Sequence, residues 1–253
     1  MVRGFYSAAA GVLSRQKAMD VISNNIANAA TAGYKSQATA EMSFGAHLVS
    51  RLSASPANSQ VNIGPGAFMT VNTGTYSDFT QGMLESTGRN VDMAIQGEGF
   101  FLVESERYGE VLTRNGQFEI DEDGDLALPG VGKVLNDRGR EINIEESNFS
   151  VGADGTLYVN GREEDTLYIV VAEEDSRMTV VGPGVYVSEG GYRRADEESF
   201  RIIQGYIEKA NVNMAKEMSN IIAGQNHFQS CAQVLKIYDR INELSVNRVG
   251  SIE

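Results

Sequence analysis

The side chains best placed to do chemistry in this sequence are carboxylates, and four of them crowd into the run Asp121-Glu122-Asp123-Gly124-Asp125. A calcium loop needs oxygen ligands at alternate positions, a glycine at the sixth and a bidentate glutamate at the twelfth. Here glycine falls at the fourth position and the twelfth residue is Gly132, so the run reads as a solvated acidic hairpin turn. Other acidic clusters, Glu145-Glu146, Glu163–Asp165, Glu173–Asp175 and Asp196–Glu198, read as exposed turn decoration. Carboxylates set across a glycosidic bond would instead hydrolyse it. A secreted carbohydrate-active enzyme built on an acidic β domain is therefore the competing reading from another class.

Histidine, cysteine and glycine-rich chemistry is scarcer still. The two histidines, His47 and His227, and the single Cys231 are too few for a metal site, a histidine-based triad or an internal disulfide. Gln96-Gly97-Glu98-Gly99-Phe100 has two glycines but neither a following helix nor a P-loop lysine, and reads as a tight turn between strands. His227 and Cys231 read as helix residues, and Met178, Met214 and Met218 as core material. The reading assigns no catalytic residue, no cofactor and no metal.

The net charge of −13 is unevenly spread: +2 over residues 1–90, −16 over 91–200 and +1 over 201–253. A strongly acidic middle argues against nucleic acid and anionic membrane as partners, because both would meet like charge. Near-neutral ends suit packing against further copies. The N-terminal stretch places Arg15, Lys17 and Asp20 where an apolar signal core would lie, so it does not read as a cleavable signal peptide, and no stretch reads as inserting directly into a membrane.

The elements that must carry these residues change character along the chain. From Gly4 to Asn28, Phe5, Val12, Met19 and Ile26 recur every seven residues, with Ala8, Ala9 and Ile22 filling the same stripe of a helix. Gly33 ends it with a turn. Residues 36–88 lose periodicity and read as loop and extended chain. Residues 91–200 are all-β, with short runs Val91–Ile95, Phe100–Val103, Gly116–Ile120, Thr156–Val159 and Leu167–Ala172 that favour antiparallel hairpins in a small barrel or sandwich. From Asn213 to Arg248 the chain is helical again. Met214, Met218, Ile221, Phe228 and Leu235 form a seam drifting onto Val234, Ile237, Ile241 and Leu244, with Asn211 or Asn213 as N-cap.

The fold class is thus α+β: long terminal helices forming a coiled-coil pair around a central β domain. The divisions fall at 1–35 (assembly helix and turn), 36–90 (extended linker), 91–200 (β domain) and 201–253 (assembly helix). A two-helix hairpin leaves its far faces uncovered, which predicts self-association. The interface candidates are Phe5, Val12, Met19, Ile22 and Ile26 on one helix, and Met218, Ile221, Phe228, Leu235, Ile241 and Leu244 on the other.

Three stretches resemble the flagellar rod and hook family. Ser23-Asn24-Asn25-Ile26-Ala27-Asn28 followed by Thr31-Ala32-Gly33-Tyr34-Lys35 resembles its N-terminal signature. Gln81–Leu84 through Asn90-Val91-Asp92-Met93-Ala94-Ile95-Gln96-Gly97-Glu98-Gly99-Phe100, with Thr113–Phe118, is similar to the start of its β domain. Gln204–Asn213, including Asn211 and Asn213, is similar to its C-terminal signature. The resemblance implies terminal helices in an inner coiled-coil tube with the β domain outside. It also implies a location in the basal body, export through the flagellar type III apparatus, and other rod and hook subunits as partners. The chain length leaves no room for a hook subunit's further outer domain, so a rod subunit, most like the distal type, fits better than a hook or hook-cap accessory protein.

Overall fold

The computed structural model describes residues 2–44, 47–51, 61–66, 69–144, 149–173 and 176–250, with side chains described for 4–42, 72–144, 149–173 and 176–247. The chain is α+β. Helix α1 spans Val2–Ala27, helix α2 spans Met214–Gly250, and the intervening chain is rich in short antiparallel strands. It divides into two compact units: residues 1–26, 37–78 and 213–253 in one, and 27–36 with 79–212 in the other.

In the first unit the two helices run antiparallel, and the contact points on α2 follow a seven-residue step. A Cβ built on Gly4 would fall 2.2 Å from the Tyr238 hydroxyl oxygen, one on Gly11 3.2 Å from Cys231 Sγ, and one on Gly224 3.2 Å from Met19 Cγ. Large groups of one helix therefore sit over glycines of the other. Along α2 the half-buried residues Glu217, Ile221, Gly224, Phe228, Cys231, Leu235 and Tyr238 alternate steps of four and three, the spacing of a helix seam with a period of 3.5 residues. The expected α1 stripe is displaced from this line. Val12, Met19, Ile22 and Ile26 are half-buried while Phe5 is exposed, and Met19 is the one seen to meet a glycine. On α2, Ile221, Phe228 and Leu235 lie in the seam, whereas Met218, Ile241 and Leu244 are exposed.

Within 36–88, read as loop and extended chain, the described residues include paired strands. Gln37–Phe44 pairs antiparallel with Met69–Ser77, and His47–Arg51 with Val61–Gly66. Their Ser-, Thr- and Gly-rich composition hides the strands because main-chain hydrogen bonds hold a ribbon without an apolar face. The ribbon is tied to α1 by Ser14 Oγ and Arg15 on the Glu41 carboxylate, at 3.1 and 3.4 Å, and by Asn25, which exchanges two hydrogen bonds with the Gln37 backbone.

The second unit holds the hydrophobic core. Strand Phe100–Ser105 pairs with Gly109–Thr113, Gly132–Val134 and Ile169–Ala172. Its successive side chains point to opposite faces: Phe101 and Val103 enter a large cluster with Ile95, Phe118, Leu126, Ile142 and Leu157, while Phe100 and Leu102 enter a smaller one with Leu112 and Tyr186. Both faces are therefore dry over Phe100–Val103, while Glu104 is exposed. Strand Met93–Gly97 pairs with Phe200–Gln204, and Leu84–Ser86 with Tyr206–Glu208.

Asn213 caps α2, its side-chain oxygen accepting from Lys216 N at 3.1 Å and its carbonyl from Glu217 N at 2.9 Å. Asn213→Ala should cost about 1 kcal/mol. Hydrogen exchange of the Lys216 amide would show the first turn opening earlier, and unchanged protection there would remove the cap from the account.

Candidate functional site

Three segments far apart in sequence meet in the second unit. Gly33 adopts the left-handed φ of 67° that ends the turn after α1, and its N–H donates to the Glu208 carbonyl at 2.7 Å. The turn passes so close to the backbone of Arg114-Asn115 that a Cβ on Gly33 would lie 2.2 Å from Asn115 N. It delivers Tyr34 and Lys35 to the interior, both 1 % exposed.

There Lys35 Nζ donates to the Thr80 carbonyl at 2.8 Å and to Glu208 Oε1 at 2.7 Å. Glu208, 0 % exposed, also accepts from Gly82 N at 2.8 Å and from Arg114 Nη1 at 3.3 Å. Arg114 in turn donates to the carbonyls of Ile95 and Gly97, at 3.4 and 2.7 Å, and its guanidinium lies 5.2 Å from the Phe100 ring centroid. Burial pulls the Arg114 pKa down while Glu208 holds it up. Asn211 closes the cluster, accepting from Ser36 N at 2.7 Å and donating to Thr80 O at 3.1 Å. Phe79, Phe100 and Tyr186 meet edge to face beside it, and burial pushes the Tyr186 phenol up.

Glu208 is buried, and its contacts are two cationic side chains and a main-chain N–H, all supplied by the fold. Glu208 lines neither the open cleft around Glu104–Tyr108 and Lys133 nor the one around Asn136 and Arg162–Asp165. What the cluster does is mechanical: one carboxylate fastens the N-terminal turn to the last strand before α2 and to the strand ends around Arg114.

Of the motif residues read from sequence, Gly33, Tyr34, Gly97, Phe100 and Asn211 converge here. The others lie elsewhere. Asn24 is exposed, Asn25 holds the ribbon, Asn28 accepts from Thr31, Asn213 caps α2, and Asp92 is buried with Arg89 3.5 Å away. Gly99 is packed against Ile169. Lys35 and Glu208 fall inside the N- and C-terminal motif stretches, and nothing in those stretches alone pairs them. Their signal was a lysine and a glutamate embedded in apolar and glycine-rich runs, where an unpaired charge would be costly.

The Asp121, Asp123 and Asp125 carboxylates bring oxygens within 4.8 Å of one another. They sit in a hairpin turn between Glu119–Ile120 and Leu126–Leu128, as the sequence indicates. Asp121 Oδ1 accepts from the N–H groups of Asp123 and Asp125, and Lys133 Nζ stands 2.6 Å from Asp125 Oδ2 and 3.0 Å from Glu141. The Lys133 ammonium thus already pairs with Asp125 and stands 3.9 Å from Asp121.

Lys133, then Asn143, hold the Asp125 carboxyl below its ordinary range. A depressed folded pKa gives stability that is complete above the unfolded value near ~4 and drains as pH falls through the folded one. Asp125→Asn should therefore flatten the loss of urea resistance below about pH 4; an unchanged acid limb would contradict it. Asp154, held by Thr156, is also lowered. Both shifts run opposite to what a glycosidase acid requires. Glu163–Asp165 lies on strand Arg162–Thr166, with Asp165 accepting from Asn136, while Asp196–Glu198 is an exposed turn. Glu145-Glu146 and Asp175 lie outside the described residues.

Comparison with known proteins runs through the same three segments. Residues 5–35 match the family described as flagella basal body rod protein, 94–159 the flagellar hook protein FlgE/F/G D1 domain, and 203–248 the flagellar basal body rod FlgEFG protein C-terminal family. The chain is 30% identical to the flagellar basal-body rod protein FlgF of Caulobacter vibrioides over 95% of this chain and 96% of that one. It is 28% identical to the rod protein FlgG of Bacillus subtilis over 98% and 99%, and 27% identical to the hook-basal body complex protein FlhO of that organism over the whole of both. With the turn, the β domain and the final helix each matched and the alignment near full length on both sides, the chain belongs to the family of flagellar basal-body rod proteins.

Proposed function

We propose that this chain is a structural, non-catalytic subunit of the bacterial flagellar basal-body rod. The observation that carries the assembly reading is the outer surface of α2, where Met218, Ile241 and Leu244 stand exposed although the helix already has a seam against α1. Surface of this kind calls for cover by neighbouring molecules.

In this reading 1–35 and 201–253 carry assembly, 91–200 is an outer β domain and 36–90 connects them. The glycine-seated antiparallel contacts support a coiled-coil pair, and the two dry faces of Phe100–Val103 support a layered sandwich or small barrel. Copies joined head to tail form an open helical array able to transmit torque. The subunit reaches its place through the flagellar type III export apparatus and joins other rod and hook subunits. A hook-basal-body accessory role is the alternative within the family.

Cells supplied with a chain lacking residues 1–35 and 201–253 should be non-motile and build basal bodies without it. Motility surviving that deletion would end the assembly reading.

A further inference from the structure

The exposed apolar residues of α2 are not scattered, and their arrangement specifies how two copies meet. Placing Ile221, Phe228 and Leu235, with Gly224, Cys231 and Tyr238, on the line facing α1 leaves two flanks, one on each side of it. One flank begins apolar, with Met218 and Ile222, and continues through Gln225, Gln229, Ala232, Lys236, Asp239 and Glu243 to Val246, with no large apolar residue between Ile222 and Val246. The other begins with Asn220, Ala223, His227 and Ser230 and ends with Val234, Ile237, Ile241 and Leu244. Met218 and Ile222 are 51 and 60 % exposed, and the four residues of the second patch 41, 59, 41 and 49 %.

The α1-facing line itself turns polar beyond Tyr238, at Asn242 and Ser245, just where the second flank is most apolar. These end residues therefore do not serve the contact within the chain.

Resting on the rod reading above, we infer that the occupant of each patch is the opposite flank of α2 in a second copy. The Val234–Leu244 patch of one chain lies against Met218 and Ile222 of the next, with the two helices parallel. A single chain presents both halves of the contact, on opposite flanks and at opposite ends. The junction is thus heterologous and propagates instead of closing on itself. The patch centres are 19 residues apart on the helix, so neighbouring copies are displaced along the helix axis by about 30 Å. Like flanks placed face to face in an antiparallel dimer would also bury each patch, and the experiment separates the two arrangements.

The test uses full-length chain with one flank disabled at a time: Ile241→Asp with Leu244→Asp, and Met218→Asp with Ile222→Asp. Sedimentation over a range of concentrations should show the unaltered chain forming large assemblies, each variant alone remaining monomeric, and their equimolar mixture stopping at a 1:1 dimer. In a Cys231→Ser background, Ile222→Cys with Ile241→Cys should give a ladder of disulfide-linked oligomers under mild air oxidation. The two sites are 19 residues apart on one helix, about 30 Å, which matches the displacement between copies and is beyond reach within a chain. Folding is checked separately by adding Gly11→Cys to each aspartate variant and to the otherwise unaltered chain, all of which keep Cys231; its Cβ would stand 3.2 Å from Cys231 Sγ and should close a bridge inside the monomer. Assembly of both aspartate variants like the unaltered chain, or dimers of either variant alone, would overturn the flank assignment while leaving the rod reading standing. A chain carrying Gly11→Cys alone that forms the internal bridge yet never associates would overturn the polymerising helices themselves, and the flank assignment with them.

Discussion

Replacing Glu208 with leucine should lower the stability of the second unit by about 3–5 kcal/mol, because it strands Lys35 and Arg114 in the interior without their anion. Lys35 is 1 % exposed and Arg114 5 %, so neither reaches bulk water to recover its hydration. The carboxylate also accepts from Gly82 N, so the loss extends to a main-chain donor that is left without this partner. A unit of this size should melt roughly 10 °C earlier, read by calorimetry on the transition that retains the β-sheet signal. Lys35→Met alone should cost less, since Glu208 keeps Arg114 and Gly82. The double variant should be less unstable than the sum of the two, because side chains sharing one network do not act independently. Additive losses would show that the pair is not coupled as the 2.7 Å contact requires.

Gly33→Val should release the N-terminal turn from the second unit. Valine at φ 67° is strained by its branched Cβ, a cost of at least ~1–2 kcal/mol. The larger effect is steric, since the new Cβ would stand 2.2 Å from a main-chain nitrogen at Asn115, which lies beside the paired strand Gly109–Thr113 and cannot swing aside as a flexible side-chain tip can. Together these exceed ~4 kcal/mol, enough to open the contact locally while the rest of the core stays folded. Hydrogen exchange should find the Ser36 amide, which donates to Asn211, unprotected, with the amides of Phe100–Ser105 unchanged. Retained protection at Ser36 would mean that the turn is held by something other than the geometry described. Gly82→Ala should behave similarly, with a Cβ 2.0 Å from the Lys209 carbonyl oxygen.

What the sequence reveals, and what it hides, follows from the range of each interaction. The cap at Asn213 and the turn at Gly33 rest on chemistry within a few residues, so they are legible from residue type. The β strands around Phe100 and Thr156 are legible because alternation and turn residues recur over short spans. The Lys35–Glu208 pair is not, because 173 positions separate its members and nothing local marks them as partners. The helix contact is legible in part for a different reason. The apolar stripes include Met19, which meets Gly224, but an apolar pattern does not mark Gly4 and Gly11, where the lack of a side chain lets Tyr238 and Cys231 in. Gly4 and Gly11 stand seven residues apart, a spacing that would have pointed to them. The ribbon at 37–77 escaped because its strands mix Gln, Thr, Ala and Ser without alternation and its register shifts at Ala40/Glu41.

The central claim, that this chain is built into the basal-body rod as a structural subunit, is tested most directly by electron microscopy of basal bodies purified from cells whose copy of the protein carries a gold-binding tag in the acidic Asp121–Asp125 turn. The account predicts label along the rod, at regular axial intervals. Label confined to the hook, or absent from basal bodies that are otherwise complete, would contradict it.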